Sequence, residues 1–314
     1  MRALAGSTAL ERVPERDRLE PSWTGAWLAL TKPRIALLVA LAALVGAMLA
    51  AGPGARLAPS LEAALWIACV AAASSVFNQV LERDTDRLME RTASRPLVTG
   101  RLRVRDAILF GALLAAAGTA ALALRFNALA ALLALATLAA YALVYTPLKR
   151  VSTLNTVVGA LPGAMPPLLG FVALAGAPSG WAWFLFAVLF AWQFPHFMAI
   201  AWLYRADYAR AGLRMLPCLP GSRGLAGRQA LYHSLALLPV SLWPAARGEA
   251  GAVYAACALA LGLAYIGFSV GFALRETPAR ARALLLCSLV YLPALFAAVL
   301  LDPAVHAALA TTTP

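Results

Sequence analysis

Residues 60–92 read SLEAALWIACVAAASSVFNQVLERDTDRLMERT and change character at Asn78. Before Asn78 the segment is apolar except for Glu62 and a few serines, and a run of about 20 such residues is long enough to cross a bilayer as a helix. From Asn78 onward, amides, carboxylates and guanidinium groups follow at close spacing. The stretch therefore predicts a membrane-spanning helix whose end carries a cluster of polar and charged side chains.

The whole chain shares the apolar character of this helix. It has 314 residues, of which 62% are hydrophobic and 13% are charged, whereas soluble proteins average about 45–50% apolar and about 25% charged residues. Nine runs are long enough to span a bilayer, at 35–52, 60–80, 106–124, 128–146, 155–176, 182–203, 229–246, 251–273 and 283–301. We therefore predict an all-α membrane protein with about nine transmembrane helices, and we exclude an ordinary soluble enzyme.

The basic residues are unevenly distributed between the apolar runs. If the N-terminus is cytoplasmic, 23 of the 26 Lys and Arg residues lie in inner segments, and only Arg56, Arg125 and Arg247 lie in outer ones. This bias predicts a cytoplasmic N-terminus and explains the net charge of +12 without nucleic acid as a partner. Arg outnumbers Lys 24 to 2 and alanine is abundant, which favours a GC-rich bacterium and its inner membrane.

The chain contains no linker-like or low-complexity block that would divide it. We predict a cytoplasmic tail at 1–30, a single transmembrane domain at 31–301 and an outer tail at 302–314. The four cysteines stand singly, without C-x-x-C pairs, which argues against a disulfide framework, a zinc site or an iron–sulfur site.

Asn78, Glu82 and Asp86 follow one another at intervals of four residues. At about 100° per residue they fall within an arc of roughly 80°, so a continuing helix would place them on one face while Asp84 points elsewhere. Their oxygens suit Mg²⁺, which reaches proteins through one or two carboxylates plus substrate phosphates. A diphosphate with one or two metal ions would fill the roughly 12 Å between Asn78 and Asp86. The alternative, a solvated helix end, is disfavoured because carboxylates beside hydrocarbon are costly.

Basic residues follow these carboxylates, and Arg87, Arg91 and Arg95 are the nearest of them. Arginine binds phosphate oxygens in bidentate fashion, so these three are candidate ligands of an anionic substrate. Cytoplasmic retention and contact with lipid headgroups are the alternative explanation for the basic residues of this loop.

The stretch from Asn78 to Leu97 resembles the first aspartate-rich motif of the intramembrane UbiA-type prenyltransferases, and more closely that of the branch that farnesylates haem b to haem O. The likeness runs from about Leu30 to Phe296. The further stretches that agree are LTKPR at 30–34, YTPLKR at 145–150 with NTVVG at 155–159, WQFPHF at 192–197, and DY at 207–208 with AG at 211–212 and MLP at 215–217.

The resemblance implies helices around a central cavity that opens near the cytoplasmic side. It implies farnesyl diphosphate and haem b as substrates, Mg²⁺ as the cofactor and the bilayer as the surroundings. The implied metal ligands are Asn78, Glu82, Asp86 and Asp207, with Asp84 as an alternative to Glu82. The implied stabilisers of the departing diphosphate are the cations Arg87, Lys149 and Arg150, and haem A synthase or terminal oxidase assembly factors are the candidate protein partners.

Two positions depart from the family pattern. Glu82 stands where the family has aspartate, which keeps the charge but adds one methylene group. Asp207 is followed four residues later by Ala211, so the DxxxD of other branches is missing.

Each of three further residues could have one of two roles. His196 lies inside the sixth span, so it is a candidate ligand of the haem iron or of a propionate. The ring of Tyr145 could shield an allylic cation or anchor the helix at the interface. Asn155 could polarise the diphosphate or cap the fifth helix. The prolines and glycines of 159–167 predict a break in that helix.

Two rival functions remain open from the sequence. One is a prenyltransferase of the same architecture that uses an aromatic acceptor such as 4-hydroxybenzoate. The other is a transporter built from two repeats, which predicts acidic groups in the middle of the membrane. The acidic residues of this chain instead gather at the inner ends of the spans.

Overall fold

The computed structural model of the chain describes residues 22–52 and 57–312. Its helices are α1 Trp23–Leu30, α2 Pro33–Ala51, α3 Leu57–Leu81, α4 Arg83–Asp86, α5 Val104–Arg125, α6 Ala128–Ala139, α7 Thr146–Leu148, α8 Asn155–Ala175, α9 Gly180–Leu203, α10 Arg205–Arg210, α11 Leu225–Ala246, α12 Ala252–Leu274, α13 Pro278–Leu301 and α14 Pro303–Thr312. A π-helical segment, Ala140–Tyr145, joins α6 to α7, and a 3₁₀ turn lies at Leu216–Cys218.

The described residues confirm an all-α membrane fold. Eight spans within them are long and apolar enough to cross a membrane, one of which runs from α6 through the π-helical segment into α7. The predicted span at 229–246 also forms a long helix, α11, but this helix is less apolar because it carries Arg228, Gln229 and His233. The prediction of about nine membrane helices is therefore confirmed.

Both predicted tails contain helices that pack on the rest of the chain. The side chain of Ser22 accepts a hydrogen bond from Gly25 N at 3.1 Å and so begins α1. Leu30, at the end of α1, is fully buried. In α14, Val305 and Leu309 are buried in the main core. Residues 1–21 of the predicted cytoplasmic tail lie outside the described residues.

The predicted break in the fifth span is wrong, because α8 continues from Asn155 to Ala175 with Pro162, Pro166 and Pro167 inside it. Proline removes a backbone donor, and a membrane helix tolerates this loss when neighbouring helices bond the backbone groups. The Nε2 atom of Gln193, on α9, donates a hydrogen bond to Ala160 O of α8 at 2.8 Å. This bond ties the proline-rich segment to α9, although Ala160 O is not one of the carbonyls that lose a helical donor to the prolines.

Close contact with α2 also fixes α8. A Cβ atom added to Gly46 would lie 1.8 Å from Pro167 O, and one added to Gly170 would lie 1.8 Å from Ala43 O. Small residues let membrane helices approach at backbone distance. This contact sets the position of α2 and α8, whose first residues border the site described next.

Candidate active site

A cavity of about 160 Å³ lies where the start of α2, the end of α3, the π-helical segment and the start of α8 meet. The loop that follows α4 and the segment around α10 also contribute to its wall. The polar residues that line it are Lys32, Asn78, Glu82, Asp86, Arg91, Arg95, Tyr141, Tyr145, Lys149, Asn155, Thr156 and Tyr208.

The three predicted oxygen donors line this cavity together. The α3 helix ends at Leu81, and Glu82 forms a turn with φ −94° and ψ 4° before α4 begins. Two backbone bonds carry the helical path across this turn, from Glu82 N to Asn78 O at 2.9 Å and from Asp86 N to Glu82 O at 2.7 Å. Asn78, Glu82 and Asp86 are all buried, whereas Asp84 is exposed and lies outside the cavity lining. The arrangement therefore favours Glu82 over Asp84 as a ligand.

Each of these oxygen donors contacts a basic side chain. Lys149 Nζ lies 2.7 Å from Glu82 Oε1, and the guanidinium of Arg95 binds Asp86 Oδ2. Lys32 Nζ donates to Asn78 Oδ1 at 2.8 Å. Sequence reasoning did not select Lys32 as a site residue, although the residue stands in the quoted LTKPR stretch.

The backbone of Lys32 is unusual. Its φ of 49° places it in the left-handed region, which non-glycine residues rarely occupy and which is often found at functional sites. Pro33 follows it and begins α2. This backbone conformation directs the chain from α1 into α2 at the point where the lysine reaches the cavity.

The cavity has a surplus of positive charge. Within the described residues its lining holds four basic side chains, those of Lys32, Arg91, Arg95 and Lys149, and two carboxylates. Burial, together with the nearby Arg95 and Lys149, lowers the pKa of Lys32 to about 7. Such a site attracts a multiply charged anion.

The two carboxylates respond differently to their surroundings. Burial alone would raise the pKa of Glu82, but Lys149, together with Lys32 and Arg95, holds that pKa below the usual value. Burial raises the pKa of Asp86 despite its contact with Arg95. The site therefore favours the charged form of Glu82, whereas Asp86 would gain from a further cation.

Aromatic rings form the wall next to Lys149. The rings of Tyr141 and Tyr145 lie 5.1 Å apart, and Lys149 Nζ lies 4.4 Å from the centre of the Tyr145 ring. Both tyrosines belong to the π-helical segment, a feature that often occurs at functional sites and that no local sequence signal predicted. A Cβ atom on Gly159 would lie 2.4 Å from the Tyr145 ring, so glycine is needed for this packing.

The Asn155 amide joins two loops at the cavity wall. Its Nδ2 atom donates to Ser152 O at 2.6 Å and to Arg214 O at 2.9 Å. Asn155 is the first residue of α8, and its side chain lines the cavity. These bonds support a positioning role in addition to the two roles considered from the sequence.

Arg91 reaches the cavity from the loop after α4 and contacts the segment around α10. Its Nη2 atom lies 3.3 Å from the Tyr208 hydroxyl, and its guanidinium carbon lies 5.1 Å from the centre of the Tyr204 ring. Neither tyrosine was selected by sequence reasoning, because only the folded chain brings the two loops together.

Besides Asp84, four predicted site residues lie outside the lining of this cavity. Arg87 is exposed. Arg150 donates to Leu81 O at 3.3 Å. Asp207 forms an ion pair with Arg210, three residues further along α10. The structure therefore does not place Asp207 with the other implied metal ligands.

The fourth of these residues, His196, faces α13. Its Nδ1 atom lies 2.7 Å from Ser288 Oγ, and its ring stacks on Trp192 with the ring centres 4.8 Å apart. The adjacent Phe197 and Met198 line the cavity, but His196 does not. A helix turns about 100° per residue, which explains how neighbours in sequence reach different surroundings.

The donor set of the cavity fits a magnesium ion that is shared with a phosphate ligand. Among the described residues no group of three or more His, Cys, Asp and Glu side chains forms a metal cluster. However, Mg²⁺ commonly uses one or two carboxylates and completes its coordination with water and substrate phosphates. Asp86 Oδ1 is buried and has no hydrogen-bond partner among the described residues, so it can accept a cation.

The chain matches known proteins over most of its length. The model of the UbiA prenyltransferase family matches residues 39–304. A protein named protoheme IX farnesyltransferase, from Solibacter usitatus (strain Ellin6076), is 42% identical over 285 residues, which cover 88% of this chain and 98% of the relative.

Two solved structures share the fold. A digeranylgeranylglyceryl phosphate synthase has a TM-score of 0.75 at 17% identity, with 90% of this chain and 99% of that chain covered. A UbiA homologue from Archaeoglobus fulgidus bound to GPP and Mg²⁺ has a TM-score of 0.65 at 23% identity, with 87% and 99% covered. This chain therefore belongs to the UbiA prenyltransferase family.

Proposed function

We propose that this protein transfers a farnesyl group from farnesyl diphosphate to a vinyl group of haem b, with addition of water, to give haem O. The observation that carries the proposal is the cavity that Asn78, Glu82 and Asp86 line together with four basic side chains. The name of the 42% identical Solibacter relative supports haem b as the acceptor. The Archaeoglobus homologue bound to GPP and Mg²⁺ supports a prenyl diphosphate as the donor.

The diphosphate lies among the cationic side chains. Lys149, Arg95 and Arg91 bind its oxygens and neutralise the charge that grows as it leaves, while Glu82 and Asp86 hold two of these cations in place. Asn78, Glu82 and Asp86 would hold Mg²⁺, which when bound adds positive charge at the phosphate oxygens.

The bond between C1 of the farnesyl group and the diphosphate oxygen breaks, and the diphosphate leaves with the electron pair. The rings of Tyr141 and Tyr145 face the cavity and stabilise the allylic cation that remains. The apolar helices around the site exclude water and so delay quenching of the cation.

The vinyl group of haem b then attacks the cation and forms the new carbon–carbon bond. Water adds to the resulting carbocation and releases a proton, so the products are haem O, diphosphate and H⁺. His196, inside α9 and next to residues that line the cavity, is the proposed contact of the haem iron.

The proposed setting is the bacterial inner membrane, with the N-terminus in the cytoplasm and the diphosphate end of the cavity on the cytoplasmic side. The distribution of Lys and Arg supports this orientation. Haem A synthase or terminal oxidase assembly factors are the candidate protein partners.

The deciding experiment incubates the purified protein with haem b, farnesyl diphosphate and Mg²⁺ and identifies the product by mass spectrometry. We expect the mass of haem b plus one farnesyl group and one hydroxyl group, and we expect no such product when Mg²⁺ is removed with a chelator. A parallel reaction offers 4-hydroxybenzoate as the acceptor. Prenylated benzoate without prenylated haem would reject the proposal in favour of the aromatic-acceptor alternative.

A further inference from the structure

Arg91 differs in its partners from Lys149, Arg95 and Lys32, the other basic residues of the cavity; Lys32 donates to the Asn78 amide oxygen. Lys149 pairs with Glu82, and Arg95 pairs with Asp86. No ion pair joins Arg91 to a carboxylate within residues 22–52 and 57–312. Its charge is therefore left for an anionic ligand.

Two aromatic side chains hold Arg91 without neutralising it. Its guanidinium carbon lies 5.1 Å from the centre of the Tyr204 ring and 5.8 Å from that of Tyr208. The Tyr208 hydroxyl accepts a hydrogen bond from Arg91 Nη2 at 3.3 Å. A cation over an aromatic face is stabilised but keeps its full charge. The side chain is thus ordered in advance, which reduces the entropy lost when it binds a ligand.

The surroundings of Tyr208 fix its own position. The ring packs on a small buried cluster formed by Met89, Ala211 and Leu213, which joins the loop after α4 to the segment around α10. A second link between the two loops is the contact between Arg210 and Glu90 at 3.4 Å. Tyr208 itself lines the cavity, whereas the neighbouring Asp207 does not.

We propose that Tyr208 is a positioning residue, which together with the Tyr204 ring aims the Arg91 guanidinium at the diphosphate of the prenyl substrate. The segment around α10 thus contributes to diphosphate binding by positioning this arginine. This inference rests on the proposed function only in that the substrate carries a diphosphate group.

The test measures binding of inorganic pyrophosphate with Mg²⁺ to the purified full-length protein by calorimetry. We expect Arg91→Gln to weaken binding about tenfold, Tyr208→Leu about fivefold and Tyr208→Phe about twofold, since phenylalanine keeps the ring and loses the hydroxyl. The double variant Arg91→Gln/Tyr208→Leu should bind no more weakly than Arg91→Gln alone, because Tyr208 acts through Arg91.

Tyr232→Leu is the matched control, since Tyr232 is an exposed tyrosine on α11, and it should bind as the unaltered protein does. Unfolding temperatures of all variants should agree, and Tyr208→Phe provides a conservative change should Tyr208→Leu unfold. Additive losses in the double variant, unchanged binding in Tyr208→Leu, or no pyrophosphate binding by the unaltered protein would each overturn the inference. Tight pyrophosphate binding with this mutational pattern but no haem product would uphold it and reject only the proposed acceptor.

Discussion

Asp86 and Asp84 lie two residues apart, yet the fold gives them opposite surroundings. Asp86 is 1% exposed, and its Oδ1 has no hydrogen-bond partner in the described part of the chain, whereas Asp84 is exposed. The four-residue spacing of Asn78, Glu82 and Asp86 predicted this difference, because the helical path continues across the turn at Glu82.

This difference leads to a prediction for activity. Asp86→Ala should lower the rate of farnesyl transfer by about 10²–10³-fold, since it removes a charged group from the diphosphate site. Asp84→Ala, the matched control, should stay within about twofold of the unaltered protein, as exposed substitutions usually do. Product formation from haem b and farnesyl diphosphate measures both rates, and a larger loss for Asp84→Ala than for Asp86→Ala would contradict the assignment.

Some of the remaining site residues could be predicted from the sequence, and others could not. Asn155 and Tyr145 were found because motifs marked them. Lys32, Tyr141 and Tyr208 were missed because their roles depend on a left-handed backbone, a π-helical segment and contact between distant loops. None of these features leaves a local pattern in the chain.

At the level of helices, the spans were predictable from apolar length, but their packing was not. The proline-rich α8 is continuous, with α9 bonded to its Ala160 carbonyl and α2 packed against it at backbone distance. The sequence signal for a break was real, since three prolines do remove donors. The contacts with α2 and α9 fix the position of this helix, and only the folded chain reveals them.

The contact between α2 and α8 can be tested by adding one methyl group at Gly170. Gly170→Ala would place Cβ 1.8 Å from Ala43 O, so the helices must move apart, and we expect the protein to lose about 1–3 kcal/mol of stability. Gly267→Ala in α12 is the control, because no atom lies within 4 Å of its Cβ position and alanine favours a helix. Thermal unfolding in detergent compares the two, and equal stability would show that the close approach is not needed.

On the scale of the whole molecule, many of the arginines lie at the same ends of the helices as the cavity. The cavity lies at the ends of α3 and α7 and the starts of α2 and α8, next to loops that carry many of the arginines. A site that binds a cytoplasmic diphosphate must open on the cytoplasmic side. The orientation predicted from Lys and Arg alone would provide this opening.

That orientation can be measured by labelling single cysteines in a variant whose four native cysteines are replaced. Ser94→Cys is nearly isosteric and lies exposed in the loop beside the cavity, and Ala177→Cys lies exposed between α8 and α9. If the cavity opens to the cytoplasm, a membrane-impermeant maleimide applied to spheroplasts should label Ala177→Cys and spare Ser94→Cys until the membrane is opened. The reverse pattern would place the carboxylates and arginines on the outer face, where farnesyl diphosphate made in the cytoplasm could not reach them.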